Sequence, residues 1–355
     1  MITRAALFGT LEPVVINVTA MLLTLVLFGA FVSTFGHDPF AVLYVLYLGS
    51  FGSSFSIENT LTQAAPLMLT GLCTAIPARA GLLVIGGEGA LVVGGVATVL
   101  IGVHLIGFPI WVGITLMVMT GAIAGGLWIG AAGALRQYRG VNETISTLLL
   151  SYIAIAIMNH LITGPIRDYD QVLKTSSWSI PDTMRIGAMP WLDVHWGLAI
   201  GAIVCLVLYV LMRHTTFGFA IDVLGGTQRA AQMAGLPINR YVLICCFIGG
   251  AAAGLAGSIE IIAVHGFASE SLVVGFGYAG ILVAFLARQN PLAVILIAVL
   301  LGGISASGGL LQRRFDLPDA TTSVLQGILF VVVLASNTAY GRFSWLTPNA
   351  RGSSV

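Results

Sequence analysis

The chain has 355 residues, of which 57% are hydrophobic and only 8% are charged. Soluble domains carry about 25% charged residues, so a chain with this composition lacks the charge to cover a water-exposed surface. The excess of apolar side chains must therefore face lipid. A formal net charge of +1 also argues against a nucleic-acid partner. We predict an all-α, polytopic membrane protein.

Ten segments are apolar enough to be candidate spans, although a helix needs about 20 residues to cross the hydrocarbon and some of them are shorter. They cover, approximately, residues 14–36, 60–78, 86–105, 109–135, 144–163, 194–212, 241–264, 273–287, 291–306 and 321–339. The first is expected to be a retained span, because its uncharged run is longer than the apolar core of a signal peptide. The segment 40–51 is too short to cross and is expected to be interfacial or re-entrant.

Prolines and glycines predict where the helices break and where they pack. We expect Pro66 and Pro77 to break the second span, and Pro291 to separate the eighth from the ninth. Glycines spaced four residues apart let two helix backbones approach closely. Such pairs occur at 121/125, 126/130 and 250/254, and they predict a tightly packed bundle.

The basic residues predict the orientation of the bundle. With both termini in the cytoplasm, ten of the fifteen basic residues fall on the cytoplasmic side, as the positive-inside rule expects. Arg313 and Arg314 form the one clear exception. The longest outer segment is then 164–193, and the longest inner one is 213–240.

No motif in the chain indicates catalysis or a bound cofactor. The phosphate-binding pattern GxxxxGK[ST] is absent, the six histidines are scattered singly, and the four cysteines lie in apolar runs without metal-ligand spacing. We therefore expect no enzymatic activity, no cofactor and no metal site in this chain.

Two carboxylates, Glu88 and Glu260, lie within or at the edge of apolar spans. A charge in hydrocarbon is costly, so either residue is a candidate for the translocation pathway. Each could instead accept hydrogen bonds from backbone freed at a helix break, and Gly87 and Gly89 on both sides of Glu88 favour such a break.

The inner segment 226–235 (GTQRAAQMAG) is predicted to be a short surface helix that ends at glycine. It holds the candidate docking residues Gly226, Arg229, Ala230, Ala231 and Gly235. Composition alone favours a simple connector between two spans over a docking site for a cytoplasmic partner.

Four stretches, in order along the chain, resemble the permeases of ABC importers of the branched-chain amino acid and simple-sugar superfamily. They are PLMLTGLCTAIPARAGLLVIGGEGALVVGG (66–95), GVNETISTLLLSYIA (140–154), TTFGFAIDVLGGTQRAAQMAGL (215–236) and GFGYAGILVAFLARQNPLAV (275–294). The second is similar to the form found in nucleoside and simple-sugar permeases, and the third resembles the family's coupling segment. Val84 and Ala90 stand where the family usually has Asn and Gln, so two polar side chains beside the expected pathway are missing.

The resemblance implies about ten spans with both termini inside and a multi-pass location in the bacterial plasma (inner) membrane. It implies three partners: a cytoplasmic ATP-binding subunit, a second permease subunit and an extracytoplasmic binding protein. In the nucleoside branch the second permease has a different sequence, and a homodimer is the alternative. The segment 226–235 would then contact the ATPase. The outer segment, with its opposite charges, Lys174 and Trp178, would help to dock the binding protein.

The function predicted from the sequence is the permease subunit of an ATP-driven importer for a nucleoside or a related small polar solute, with simple sugars possible. One alternative is an ion-coupled secondary transporter that uses Glu88 or Glu260 as its ion site. Another is a passive channel or a structural membrane protein.

Overall fold

In the computed structural model, the described part of the chain is 19–337, apart from residues 106, 170–174 and 191. It contains fourteen α-helices: α1 Thr19–Ser33, α2 Pro39–Phe51, α3 Ser54–Arg79, α4 Gly87–Gly102, α5 Ile110–Arg139, α6 Glu143–Thr163, α7 Gly197–His214, α8 Thr216–Gly226, α9 Gln228–Met233, α10 Ile238–Ile259, α11 Phe276–Leu286, α12 Pro291–Ala306, α13 Gly308–Phe315 and α14 Ala320–Asn337. A π-helical segment, Glu260–His265, extends α10. Two short antiparallel strands, β1 Ala188–Met189 and β2 Leu192–His195, pair through Ala188 with His195 and Met189 with Leu192.

The predicted all-α membrane bundle is confirmed. Seven helical stretches are long and apolar enough to cross a membrane: Ser54–Arg79, Gly87–Leu105, Ile110–Arg139, Glu143–Thr163, Gly197–His214, Ile238–His265 and Pro291–Phe315. Shorter apolar helices lie at Thr19–Ser33, Pro39–Phe51, Thr216–Gly226, Glu270–Leu286 and Ala320–Ser336. The number of crossings and the side on which the termini lie stay predictions, and the terminal residues 1–18 and 338–355 lie outside the described part.

The chain divides into two compact units. Within the described residues, the first comprises 19–56 and 304–337, and the second lies within 57–303. In the first, α1, α2, α13 and α14 enclose a core of seven buried apolar residues: Phe28, Val32, Val42, Val45, Leu311, Leu317 and Leu325. The segment predicted to be interfacial or re-entrant is α2, a helix of 13 residues whose N-terminus is capped by the Asp38 side chain.

In the second unit, α4, α5 and α10 pack around a crossing of glycines. A Cβ on Gly254 would lie 2.2 Å from the carbonyl oxygen of Gly121, and one on Gly94 would lie 2.4 Å from the Cα of Gly254. Only glycine permits such close backbones, and dispersion between them replaces the hydrophobic drive that lipid does not supply. Gly130 was also predicted to let two helices approach closely, but a Cβ on it would meet nothing within 4 Å among the described residues.

The prediction that Pro66 and Pro77 break the second span is wrong, because α3 continues through both prolines. Pro66 has no N–H to bond the carbonyl of Thr62, four residues earlier. The buried ring of His195 lies beside that freed carbonyl. A helix enclosed by protein tolerates internal proline in this way, since its neighbours surround the freed backbone groups.

Candidate functional site

The segment before α4 runs alongside the first turns of α6. Two of its N–H groups donate to α6 side chains, Leu83 to Glu143 at 3.3 Å and Ile85 to Thr147 at 3.2 Å. In the first turn of α4, the N–H of Gly89 donates to Ser151 at 3.3 Å. Glu143 and Ser151 are eight residues apart, which is about 12 Å along a helix. The first turn of α4 therefore lies beside α6 about 12 Å from its start.

Glu88, in this first turn, is fully buried and accepts two backbone hydrogen bonds from a distant part of the chain. Its Oε1 accepts from the N–H of Gly275 at 2.9 Å, and its Oε2 accepts from the N–H of Gly277 at 2.6 Å. The carboxylate thus accepts hydrogen bonds from backbone N–H groups, which is one of the two roles that the sequence suggested for it. The donors, however, belong to the start of α11 and not to the helix break around Gly87 and Gly89. We call Glu88, Gly275 and Gly277 the carboxylate junction.

Glycine makes the carboxylate junction possible. A Cβ on Gly277 would lie 2.0 Å from the backbone nitrogen of Glu88, and Gly275 has a positive φ of 93°. Gly87 also faces Gly277, with 3.4 Å between its virtual Cβ and the Gly277 Cα. The N-termini of α4 and α11 therefore meet, and the positive ends of two helices surround one negative side chain.

Glu260 lies apart from the carboxylate junction, at the first residue of the π-helical segment. Its Oε2 is 3.6 Å from Nε2 of His265, at the other end of the same segment. No contact between Glu260 and Glu88 exists within the described residues, so the two carboxylates do not form one site. The same part of the chain contains no group of three or more His, Cys, Asp or Glu side chains suited to a metal ion.

The helix that precedes the candidate coupling residues, α8, is attached to the end of α3 by a bidentate ion pair. Arg79, at the end of α3, donates from Nε to Oδ1 of Asp222 at 3.0 Å and from Nη2 to Oδ2 at 2.8 Å. A Cβ on Gly225 would lie 1.9 Å from the carbonyl oxygen of Arg79. The helix α8 therefore sits directly against the end of α3.

The short helix α9 presents a different face from the predicted one. Arg229 is exposed and Ala230 is partly exposed, but Ala231 is fully buried within its own chain. The prediction that Ala231 contacts a partner is therefore wrong, since its side chain has no free surface. Gly226 and Gly235 flank the helix in exposed positions, and Gly235 has a φ of 69°.

Three further residues of α9 are exposed and were not among the predicted coupling residues: Gln228, Gln232 and Met233. Met233 is 82% exposed. The signal was available in the sequence, because Met233 is the one large apolar residue of this polar helix. Together with Arg229, these three residues form a surface that we call the coupling face.

The segment 164–193, which the sequence predicts to lie outside, is anchored through its described residues to the loop that follows the π-helical segment. Ser176 and Ser177 are buried, Ser176 pairs with Ser269, and the N–H of Ser177 donates to the carbonyl of Ala268 at 2.9 Å. Trp178 keeps 39% of its surface exposed. Lys174, the other docking candidate, lies outside the described residues.

Comparison with known proteins places the chain in a family. Residues 56–334 match the family described as "Branched-chain amino acid transport system / permease component". The guanosine ABC transporter permease protein NupP of Bacillus subtilis is 29% identical over 306 residues, which cover 85% of this chain and 87% of that protein. The glucose ABC transporter permease protein TsgB13 of Haloferax volcanii is 28% identical, over 84% of this chain and 81% of that protein.

A nucleoside ABC transporter permease protein of Lactococcus lactis, NupB, is 25% identical over 84% of this chain and 85% of that protein. Among solved structures, PsaBC from Streptococcus pneumoniae in complex with Fab superposes with a TM-score of 0.46 and 14% identity, over 86% of this chain and 100% of that one. The family match spans most of the chain, including the carboxylate junction and the coupling face. The chain thus belongs to the branched-chain amino acid transport permease family, and it is a multi-pass membrane permease subunit of an ABC transporter.

Proposed function

We propose that this permease imports nucleosides or related small polar solutes, and that a separate cytoplasmic subunit hydrolyses the ATP. The observation that carries the proposal is the similarity, over about 85% of the chain, to permeases named for guanosine, glucose and nucleoside transport. A second permease chain and an extracytoplasmic binding protein complete the proposed assembly.

The coupling face is the proposed contact with the ATPase. It combines one positive charge, Arg229, with the exposed apolar side chain of Met233. A movement imposed there reaches α3 through α8, because the Arg79–Asp222 pair joins these two helices. Small residues favour close seating, and Ala230 is the small residue of α9 that retains some exposure.

From α3 the movement has a packed route to the carboxylate junction. A Cβ on Gly280 of α11 would lie 2.7 Å from Oγ1 of Thr70 in α3, so these two helices touch without a gap. The carboxylate of Glu88 then ties the start of α11 to the start of α4. ATP binding shifts the pathway between its two open states only if the ATPase contacts differ between those states.

The outer segment is the proposed docking surface for the binding protein. Tyr169 is 74% exposed, and the guanidinium of Arg167 lies 5.3 Å from its ring centroid. With Trp178, these residues supply the aromatic and arginine side chains that are enriched at protein interfaces. Because Ser176 and Ser177 are anchored, a deletion of residues 175–180 would disturb the fold. Docking of the binding protein is therefore better tested with point substitutions.

Uptake in proteoliposomes that contain the assembled transporter tests the proposal. We expect guanosine or uridine uptake to require ATP and to be unaffected when a proton gradient is imposed or collapsed. Glu88→Gln should reduce this uptake but leave it ATP-dependent, because Glu88 holds backbone and is not an ion site. Uptake that follows the proton gradient, persists without ATP and disappears in Glu88→Gln would instead establish the secondary-transporter alternative.

A further inference from the structure

Two tyrosines lie on either side of the carboxylate junction. Ser151 of α6 accepts a hydrogen bond from Gly89, and Tyr152 is the next residue. Gly277 of α11 donates to Glu88, and Tyr278 is the next residue. The electrostatic coupling of Tyr278 to Glu88 and Tyr152 agrees with this placement. Two different helices thus place two tyrosines next to the carboxylate junction.

Both tyrosines have free surface. Tyr152 is 59% exposed and Tyr278 is 39% exposed. Within the described part of the chain, neither hydroxyl makes a hydrogen bond to another residue. This contrasts with the buried carboxylate of Glu88 beside them, whose two oxygens are both occupied by N–H groups.

Their depth makes a lipid-facing position costly. Tyr152 is nine residues from the start of α6, or about 14 Å along a helix. A helix that begins at the edge of a hydrocarbon core about 30 Å thick reaches its middle at that distance. Membrane tyrosines concentrate at the interfaces, where the hydroxyl reaches water. An unpaired hydroxyl in hydrocarbon is unfavourable, so this pair fits a water-filled space better than lipid.

We infer that Tyr152 and Tyr278 form a subsite of the translocation pathway that binds the planar base of a nucleoside. This inference rests on the proposed function. Glu88 is fully buried and its oxygens already accept two N–H groups, whereas the two tyrosines beside it are exposed and can meet a solute. Stacking of a base on an aromatic side chain is worth about 1–3 kcal/mol and tolerates every base. Moderate, unselective binding of this kind lets a solute leave again, which a transport path requires.

Leucine and phenylalanine substitutions separate the roles of ring and hydroxyl. Tyr152→Leu and Tyr278→Leu are each expected to lower the rate of ATP-dependent guanosine uptake about tenfold, which is ~1.4 kcal/mol. Tyr152→Phe and Tyr278→Phe keep the stacking surface and should stay within about twofold of wild type. Tyr44→Leu is the matched control, since Tyr44 of α2 is 60% exposed and is remote from the junction in sequence.

The complex must also remain assembled. All five variants should retain the second permease chain on purification and should keep ATPase activity that rises with loaded binding protein. Leucine variants that transport guanosine at the wild-type rate would overturn the inference alone. So would leucine variants that lose the second permease chain, because the tyrosines would then belong to the contact between subunits. A wild-type assembly without ATP-dependent uptake of any nucleoside would refute the proposed function, and this inference with it.

Discussion

The carboxylate of Glu88 is expected to stabilise the fold by holding the start of α11, and its removal gives a calculable loss. The side chain accepts two N–H groups, at 2.9 and 2.6 Å, in a fully buried position. Glutamine offers one acceptor oxygen and turns an NH₂ donor toward the other N–H. Since a hydrogen bond to a charged group is worth about 1.5–3 kcal/mol, Glu88→Gln should cost about 2 kcal/mol. Glu88→Ala removes both acceptors and should cost about 4 kcal/mol.

Thermal unfolding of the purified protein in detergent, at one fixed scan rate, measures this loss. Glu260→Gln is the matched control, because Glu260 is also buried in an apolar stretch but faces His265 rather than backbone N–H groups in the described structure. The expected order of thermal stability is wild type, then Glu88→Gln, then Glu88→Ala, with Glu260→Gln close to wild type. An unchanged Tm in both Glu88 variants, or an equal drop in Glu260→Gln, would refute the reasoning.

Three further substitutions test the packing, the inner ion pair and the outer surface. Gly254→Ala should destabilise the protein by several kcal/mol, since its Cβ would lie 2.2 Å from a carbonyl oxygen of α5. Gly130→Ala, with open space around it, should leave the Tm unchanged or higher. Equal Tm values for the two variants would contradict the glycine crossing. A double-mutant cycle of Arg79→Ala and Asp222→Ala should give a coupling energy below about 1 kcal/mol in thermal unfolding, because Asp222 is half exposed to solvent. ATP-driven uptake should nevertheless fall strongly in each variant. Retained uptake in both variants would remove this pair from the coupling route. Trp178→Ala should weaken the stimulation of ATPase activity by the binding protein and leave basal ATPase activity intact, and undiminished stimulation would exclude the outer segment as the docking surface.

The sequence alone determined the class of the protein. Apolar runs about 20 residues long can satisfy their backbone in lipid only as helices, so composition and run length suffice to predict the bundle. The paired glycines at 121/125 and 250/254 indicated close helix contacts, which are local requirements of the backbone. The segment 226–235 revealed its short helix in the same way, through its small residues and the glycine that ends it.

Tertiary structure decided which residues meet. The sequence placed a carboxylate among glycines at 86–89, but its donors lie 187 and 189 residues further along the chain. Likewise, the sequence does not tell which of the neighbouring alanines Ala230 and Ala231 faces outward. Packing buries Ala231, whereas Ala230 keeps some exposure. A proline such as Pro66 would break a helix surrounded by water, yet α3 continues through it because the buried ring of His195 lies beside the freed carbonyl. Helix formation depends on neighbours in sequence, whereas burial, partner choice and the cost of a freed backbone group depend on what the rest of the chain brings alongside.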